Sequence, residues 1–471
     1  MYFNSFDFLI FLPIVFVAYW LFEKRKIRFQ NVILLIASYV FYGWWDWRFL
    51  SLIGLSTLVD YFVGIRISLC DTDKLKKRWL LVSIFFNLGV LSFFKYCHFF
   101  IDSWVDLCNS IGYDIKDVTT LNIILPVGIS FYTFQTMSYT IDVYRDKLKP
   151  TKDFISFAAF VSFFPQLVAG PIERATHLLP QFLKERKYSK ESISYGIKLI
   201  IWGFFLKLVL ADRTAIYVNS VYNNVEYHDG LSLIFATILF AFQIYGDFAG
   251  YSLIAIGTAK LFGFDLMTNF RRPYFSGSIH EFWNRWHISL STWFRDYLYI
   301  PLGGNRVGRY RWFFNLFITF LISGLWHGAK WTFVIWGAIN GIYLIIEILC
   351  NGKKRKGILN IISTFCFISF AWIFFRANSV NDAFYIINKI FTEPGKLYIG
   401  SGDDIAASLY AVLAIFLLVI IEFKREYLQN ITIINFFTKK EIGRMFMYAT
   451  LIYLILYLGV FGHSQFIYFQ F

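Results

Sequence analysis

The chain has 471 residues, of which 57% are hydrophobic and only 16% are charged, and its formal net charge is +14. Soluble domains average about a quarter charged residues, so this composition excludes an ordinary water-soluble protein. The positive charge is scattered over many short segments rather than gathered in one patch, so we expect no nucleic-acid binding.

Apolar runs recur along the whole chain, each close to the roughly 20 residues that cross a hydrocarbon layer. Backbone groups in lipid must bond within their own segment or close into a barrel, and runs this long and uniformly apolar favour helices. The sequence therefore predicts an all-α, polytopic membrane protein with about 11–12 transmembrane helices plus re-entrant or interfacial helices, in a single membrane-embedded domain over residues 1–471. The predicted spans are 6–22, 30–45, 48–67, 79–98, 121–143, 194–211, 231–250, 312–328, 331–350, 358–375, 405–421 and 445–461.

Lysine and arginine collect in alternate connecting segments. The loops between those basic segments, 101–120 and 212–230, are poor in lysine and arginine and carry carboxylates instead. Because short cytoplasmic loops hold the excess of lysine and arginine, the pattern predicts that both chain termini lie outside. No basic residue precedes Phe6, so we expect the first segment to remain as a span rather than to act as a signal peptide. The basic clusters are 24–28, 74–78, 145–152, 184–190, 353–356 and 424–444.

Two segments contain helix breakers at membrane depth. In "LPVGISFYTFQ", 125–135, Pro126 and Gly128 loosen a span, and Gln135 is one of the polar side chains that follow them. Within 144–193, an apolar run ends in "FFPQLVAGPIER". Irregular backbone is tolerated at this depth only where it lines a protein cavity, so the second segment is predicted to be re-entrant or interfacial.

Asp247 lies in the apolar segment "QIYGDFAGYS", 243–252, between Gly246 and Gly250. One interpretation is close packing of small residues with a carboxylate that reaches towards the membrane surface. The other, to which we give equal weight, is a carboxylate on the path of a substrate.

The segment 276–304 carries the densest set of polar and aromatic residues. Ser278 followed by Glu281 predicts a capping box, and Pro301 with the two glycines after it predicts the end of the helix. The spacing between these limits predicts one amphipathic interfacial helix, with Arg285 on its polar stripe and His287 on its apolar side.

A zinc-protease site in this segment is excluded by the spacing of its histidines. Metal-binding helices use histidines one turn apart, whereas His280 and His287 would be two turns, roughly 10 Å, apart. We therefore predict no metal.

His327 is the histidine placed deepest in an apolar run, "FLISGLWHGAKWTFVIWG" at 320–337. A buried imidazole without partners loses polar solvation worth about 2 kcal/mol or more, so its presence indicates a partner, a cavity or a task. Ser323, Gly324 and Gly328 reduce side-chain bulk around it, and we expect Trp326 and Trp331 to wall a cavity.

Burial disfavours the charged imidazolium, which keeps such a histidine able to accept a proton. The sequence has no G-x-S-x-G elbow, so a serine-hydrolase triad is not supported. Attack of a hydroxyl on an activated acyl group needs only one such base and a donor that holds the acyl oxygen. Base-assisted acyl transfer is therefore the simplest prediction.

Several long motifs resemble those of the membrane-bound O-acyltransferases, in the right order and over nearly the whole chain. The opening and closing segments are more similar to the alginate O-acetylase branch than to the shorter D-alanyl transferases of teichoic acids. The motifs are "FFPQLVAGPIER" at 163–174, "QIYGDFAGYSLIAIG" at 243–257, "FWNRWHISLSTWFRDYLYIPLGG" at 282–304, "SGLWHG" at 323–328 and "AWIFFRA" at 371–377.

The resemblance implies a ring of tilted helices around a thin centre, with a tunnel from cytosol to exterior. It implies that His327 is the essential histidine and His287 the other active-site position. It implies acetyl-CoA or another acyl thioester as donor substrate, with no bound cofactor, and a polysaccharide as acceptor, served through an extracytoplasmic serine (SGNH-type) acetyltransferase. The expected location is the bacterial cytoplasmic (inner) membrane, in contact with lipid.

In the predicted mechanism, His327 takes a proton from the incoming hydroxyl, and His287 orients or hydrogen-bonds the thioester. The alternatives are D-alanyl transfer, a transporter or flippase of lipid-linked glycan with Asp247 on its path, and a scaffold that tolerates the loss of both histidines. The residues predicted to contact substrate are Trp326, Asn284, Arg285, Gln135 and Asp247.

Overall fold

A computed structural model describes the chain apart from residues 24–25, 114, 116–122, 169, 351–356, 401–403, 429–440, 462–465 and 468–471, and apart from the side chains of residues 404, 441, 442 and 444. The basic cluster at 353–356, parts of those at 24–28 and 424–444, and the first residues of the predicted span 121–143 lie outside the described residues. The part of the chain that is described contains helices and no strand.

The helices up to residue 204 are α1 (Phe6–Trp20), α2 (Ile27–Asp46), α3 (Leu50–Leu69), α4 (Asp73–Leu91), α5 (Cys97–Ser110), α6 (Ile129–Tyr144), α7 (Phe154–Ser162), α8 (Phe164–Leu167), α9 (Ala175–Phe182) and α10 (Lys190–Phe204). Those that follow are α11 (Asp212–Tyr222), α12 (Gly230–Leu261), α13 (Ile279–Arg285), α14 (Ile288–Phe294), α15 (Arg309–His327), α16 (Trp331–Leu349), α17 (Ile358–Arg376), α18 (Val380–Thr392), α19 (Asp404–Tyr427) and α20 (Glu441–Leu458).

Within the described residues, seven helical stretches are long and apolar enough to cross a membrane. The first of them, Ile27–Leu69, contains two of the predicted spans. The predicted all-α, multi-pass fold is confirmed. The seven stretches are Ile27–Leu69, Asp73–Ser110, Lys190–Tyr222, Gly230–Leu261, Trp331–Leu349, Ile358–Arg376 and Ile405–Tyr427.

The chain folds as two compact units, one formed by residues 1–197 and 255–267 and the other by 198–254 and 268–471. Two of the three boundaries in the chain fall inside α10 and α12, and the third lies after α12, between residues 267 and 268. The expectation of a single membrane domain stays a prediction.

In the first unit, the predicted helix breakers act where they were expected. Gly128 has φ +75°, and a Cβ at this position would lie 2.7 Å from the carbonyl oxygen of Leu167, so only glycine fits. The predicted span 121–143 is therefore too long at its start, because the helix begins at Ile129. The chain also breaks at Phe163, between the short buried helices α7 and α8.

The first unit also buries a polar cluster between α3, α4 and α6. The carboxylate of Asp60 accepts hydrogen bonds from Ser83 at 2.5 Å and from Asn87 at 2.9 Å. The hydroxyl of Ser83 also lies 2.9 Å from that of Thr140 on α6. Buried polar groups in an apolar medium are retained when they bond one another, so this cluster ties the three helices together.

In the second unit, α15 and α16 form a helical hairpin joined by three residues. A Cβ on Gly324 would lie 2.2 Å from the carbonyl oxygen of Phe333 and 3.1 Å from the Cα of Gly337. The two backbones therefore approach as closely as glycine allows, as in small-residue packing of membrane helices. This hairpin places the end of α15, and with it His327, against α16.

Candidate active site

His327 is the last residue of α15, and its side chain is buried among aromatic rings. The ring centroids of Trp336 and Phe375 lie 5.0 Å and 5.4 Å from that of the imidazole, and that of Trp326 lies 5.1 Å away. Gly328 follows in an extended conformation and ends the helix. The imidazole is thus held between α15, α16 and α17.

The small residues around His327 have a different effect from the one expected. A Cβ on Gly328 would lie 2.2 Å from the ring of Phe333, so this glycine, like Gly324, admits α16 rather than opening a cavity. Trp326 is 4% exposed and lies beside the histidine as expected, whereas Trp331 is 55% exposed. The tryptophan of α16 that packs against His327 is Trp336.

The expected single helix over 278–301 is wrong, because the chain breaks at His287. The predicted N-terminus is confirmed: the N–H of Glu281 donates to Ser278 Oγ at 3.1 Å. His287 then takes the left-handed conformation, with φ +44°, between α13 and α14. The N–H of Ile288 donates to the carbonyl of Asn269 at 2.9 Å instead of to the preceding turn.

The side chain of Asn269 stabilises the same break. Its Oδ1 accepts from the hydroxyl of Ser289 at 2.6 Å, and its Nδ2 donates to Ser252 on α12 at 2.9 Å. Left-handed backbone at a residue other than glycine costs free energy and is common at functional sites. The break turns the His287 side chain into the unit, where it is 1% exposed.

The structure brings the two predicted catalytic histidines together. The ring centroids of His287 and His327 are 6.3 Å apart, and Trp326 lies 6.1 Å from the ring of His287. Phe248 of α12 packs edge-on against His287 at 4.4 Å. His287 lies outside the membrane-spanning helices, and burial lowers its pKa from the ordinary value of 6.5 to about 3. It is therefore a neutral imidazole at physiological pH.

A cavity of about 240 Å³ is lined by Phe333 and Phe375, whose ring centroids are 4.9 Å apart. Phe375 also contacts His327, which is not itself among the described residues that line the cavity. The cavity therefore adjoins the aromatic enclosure of His327 through Phe375.

Arg285 is held by carboxylates. Its guanidinium donates to Glu281 at 2.7 Å and to Glu426 at 2.9 Å. Burial alone would lower the pKa of Arg285, but these two carboxylates raise it above the ordinary value. Arg285 therefore ties α13 to α19, and its contact with substrate stays a prediction.

Asp247 is buried and forms an ion pair with Lys207 at 2.6 Å. The small-residue packing expected around it is confirmed, since a Cβ on Gly250 would lie 2.8 Å from the carbonyl oxygen of Gly203. The accompanying expectation of a carboxylate that reaches the membrane surface is wrong, because the charge is neutralised by lysine inside the unit. A role on the substrate path stays a prediction.

The two remaining predicted residues have different surroundings. Asn284 is exposed on α13. Gln135 belongs to the first unit, where its side chain donates to the carbonyl of Phe160 at 2.8 Å and accepts from Gln166 at 3.2 Å. Substrate contact by either residue stays a prediction.

Sequence reasoning missed three residues that shape the site. Trp336 and Phe375 enclose His327, and Lys207 neutralises Asp247. Phe375 lies in the motif "AWIFFRA", which was a signal for it. Among the described residues, no group of three or more histidine, cysteine or carboxylate side chains could hold a metal ion.

The sequence is similar to those of known proteins. A sequence profile of the membrane-bound O-acyltransferase family matches residues 40–381. The chain is 41% identical to the probable alginate O-acetylase AlgI of Pseudomonas putida over 393 residues, 83% of this chain and 79% of that protein. It is 36% identical to the peptidoglycan O-acetyltransferase of Helicobacter pylori over 411 residues, 80% of this chain and 77% of that protein.

Similarity to a third kind of protein is more limited. The teichoic acid D-alanyltransferase of Streptococcus thermophilus is 30% identical over 249 residues, 49% of this chain and 58% of that protein. The resemblance inferred from the motifs is thus confirmed, with the O-acetylating relatives covering much more of the chain.

Proposed function

The chain belongs to the membrane-bound O-acyltransferase family, and from this premise we propose that it carries acetyl groups from cytosolic acetyl-CoA across the bacterial inner membrane for O-acetylation of an extracytoplasmic polysaccharide. It is a multi-pass membrane acyltransferase. An extracytoplasmic serine acetyltransferase of the SGNH type would receive the acetyl group and pass it to the glycan.

In the proposed reaction, His327 accepts the proton of the acceptor hydroxyl as its oxygen attacks the thioester carbonyl. The new carbon–oxygen bond forms, the carbon–sulfur bond breaks, and the imidazolium returns the proton to the departing thiolate, which leaves as free CoA. The neutral ring of His287, 6.3 Å from that of His327, would orient the thioester. The surrounding rings limit the access of water, which would otherwise hydrolyse the donor.

One observation carries this proposal: two buried imidazoles meet in an aromatic enclosure whose wall also lines a polar cavity. Acetyl as the group transferred is supported by the names of the relatives that cover most of the chain, an alginate O-acetylase and a peptidoglycan O-acetyltransferase. Both names also point to a glycan as the final acceptor.

The test is release of free CoA from acetyl-CoA by the full chain in nanodiscs, with a hydroxyl acceptor present. His327→Gln should lower the rate by about 10²–10⁴-fold, the range that general-base catalysis supplies. His280→Gln is the matched control, because His280 is exposed on α13, and it should keep the wild-type rate.

Three results would contradict the proposal. A folded His327→Gln variant with the wild-type rate would show that His327 is not the general base. Movement of a lipid-linked glycan without any release of CoA would favour a flippase, and release from a D-alanyl thioester alone would favour D-alanyl transfer.

A further inference from the structure

Two stretches of chain on either side of α13 lie side by side next to His287. The N–H of Arg271 donates to the carbonyl of Arg285 at 2.9 Å. The N–H of Ile288 donates to the carbonyl of Asn269, also at 2.9 Å. We call these four bonded residues the pairing. Because His287 directly precedes Ile288, the pairing fixes where its side chain begins.

The pairing borders on backbone that is unfavourable by itself. Among the described residues other than glycine, positive φ occurs at Asp146, Arg272 and His287. Two of these three lie at the pairing, Arg272 with φ +50° and His287 with φ +44°. Left-handed backbone at such residues costs free energy and persists only where the surrounding structure fixes it. Contacts from other parts of the unit must therefore stabilise the pairing.

Glu426, near the end of α19, makes such contacts. One of its carboxylate oxygens accepts from Nε of Arg272 at 2.5 Å, and the other accepts from Nη2 of Arg285 at 2.9 Å. Arg285 also donates to the backbone carbonyl of Arg272 at 3.4 Å. The two arginines belong to the two stretches that the pairing joins, so a single carboxylate holds both stretches. Charge-assisted bonds are stronger than neutral ones, and these side chains are at least two-thirds buried.

A second carboxylate of α19 supports the ring that precedes His287. Glu422 lies one helical turn before Glu426 and accepts a hydrogen bond from the hydroxyl of Tyr245. The ring of Tyr245 packs against that of Trp286, with centroids 6.0 Å apart. The end of α19 therefore contacts the surroundings of His287 at two points.

We propose that Glu426 is a positioning residue for His287. By holding Arg272 and Arg285 together, it stabilises the left-handed turn that directs the imidazole towards His327. The proposal rests on the proposed function, in which His287 orients the thioester. It assigns Arg285 to the support of the site rather than to contact with the donor.

The first test measures kcat and KM for release of CoA from acetyl-CoA by the full chain in nanodiscs, with a hydroxyl acceptor present. Glu426→Gln should lower kcat by at least about tenfold and leave KM unchanged, because a displacement of about 1 Å in a site can cost on the order of 10²-fold in rate. Glu426→Asp keeps the charge and should recover part of kcat. Glu226→Gln removes an exposed carboxylate of the same unit and should match the wild type.

A double-mutant cycle tests whether Glu426 acts through His287. In a His287→Asn background, Glu426→Gln should lower the rate no further, because residues that act as a unit have non-additive effects. Full additivity of the two losses would overturn the proposal. A raised KM with unchanged kcat would also overturn it, because the arginines would then contact the donor. If Glu426→Gln does not fold, Arg272→Gln breaks one of the two ion pairs and serves in the same cycle.

Hydrogen–deuterium exchange measures the pairing without any reaction. The backbone amides of Arg271 and Ile288 should exchange faster in Glu426→Gln than in the wild type or in Glu226→Gln. Unchanged exchange, or faster exchange with wild-type kcat, would show that Glu426 does not position His287. If the wild type releases no CoA from acetyl-CoA, the proposed function fails, and exchange at Ile288 still decides whether Glu426 holds the turn at His287.

Discussion

His287 and His327 are 1% and 3% exposed, and both lie among aromatic rings. A polar ring in such surroundings must be desolvated, which leucine or phenylalanine in its place would avoid. The backbone of His287 is in addition left-handed, which costs free energy. These features, together with the 6.3 Å between the two ring centroids, support a chemical role for the pair.

Substitution of His287 should separate its chemistry from its backbone conformation. Asparagine tolerates left-handed backbone, so His287→Asn should preserve the break between α13 and α14 while it removes the ring. We expect release of CoA to fall by at least tenfold, with a change in thermal stability of no more than about 1 kcal/mol. The measurements are turnover and thermal unfolding of the same nanodisc preparation.

Asp146→Asn provides a control with the same backbone. Asp146 also has positive φ, +56°, but it is exposed in a loop of the first unit. The Asp146→Asn variant should retain both thermal stability and turnover. Undiminished turnover of His287→Asn would show that the ring has no part in the reaction.

The sequence identified both histidines for a physical reason. A polar residue inside an apolar run conflicts with its surroundings, and that conflict is visible without a structure. Trp336 gave no such signal, because an apolar residue in an apolar helix is compatible with packing, with lipid or with a site. Its position against His327 depends on how α15 and α16 cross.

At the scale of elements, the α15–α16 hairpin decides where His327 lies. Gly324→Ala would force a Cβ to within 2.2 Å of the Phe333 carbonyl oxygen, which must move because it belongs to the backbone. Overpacking costs about 1–3 kcal/mol, so we expect this variant to unfold at lower temperature and to lose turnover as α16 shifts.

Gly54→Ala is the matched control for this prediction. Gly54 also lies inside a helix, α3, but a Cβ there meets no atom within 4 Å. It should be neutral or gain up to about 1 kcal/mol of stability. If Gly324→Ala resembled Gly54→Ala in thermal unfolding, the close approach of the two backbones would not be stabilising.

The turn of π-helix between α10 and α11, Phe205–Ala211, holds a second determinant of the fold. Lys207 lies within it and pairs with Asp247 at 2.6 Å and Asp212 at 2.8 Å. The other oxygen of Asp247 accepts from the N–H of Ile467 at 2.7 Å, and Val460 donates to the carbonyl of Leu208 at 3.1 Å. The ion cluster therefore holds Ile467, and the same π-helical turn holds Val460.

Removal of the lysine should release Ile467. Lys207→Met leaves two carboxylates buried without their cation, which costs about 3–5 kcal/mol. We expect a lower unfolding temperature and faster cleavage after α20 in limited proteolysis. Lys198→Met, on the same helical segment but outside the cluster, should match the wild type, and equal cleavage of both variants would contradict the anchoring role.

A helix break could be predicted from sequence only where the residue that causes it lies at the break itself. Pro126 and Gly128 disfavour helix by their own backbone preferences, and the chain does break there. The break at His287 depends on Asn269, which lies 18 residues earlier and bonds both Ile288 and Ser289. Periodicity cannot detect a hydrogen bond to a distant partner, so one continuous helix was predicted instead.

For the molecule as a whole, the pattern of basic and acidic loops predicts which side of the membrane each part of the site faces. The helices are confirmed, and this orientation stays a prediction. By the same pattern, α15 begins on the cytoplasmic side, near Arg306, and the cavity residue Asn378 lies outside. The acceptor of the acetyl group would then approach the end of α15 from outside, opposite to the donor.

Single cysteines would test this orientation in intact cells. In a chain whose five native cysteines are replaced by serine, a membrane-impermeant maleimide should label Asn378→Cys at once and Arg306→Cys only after permeabilisation. Both side chains are exposed, so accessibility within the protein does not limit either reaction. The reverse result would place the cavity lined by Asn378 on the cytosolic side, and an extracytoplasmic acceptor could no longer meet the end of α15 that carries His327.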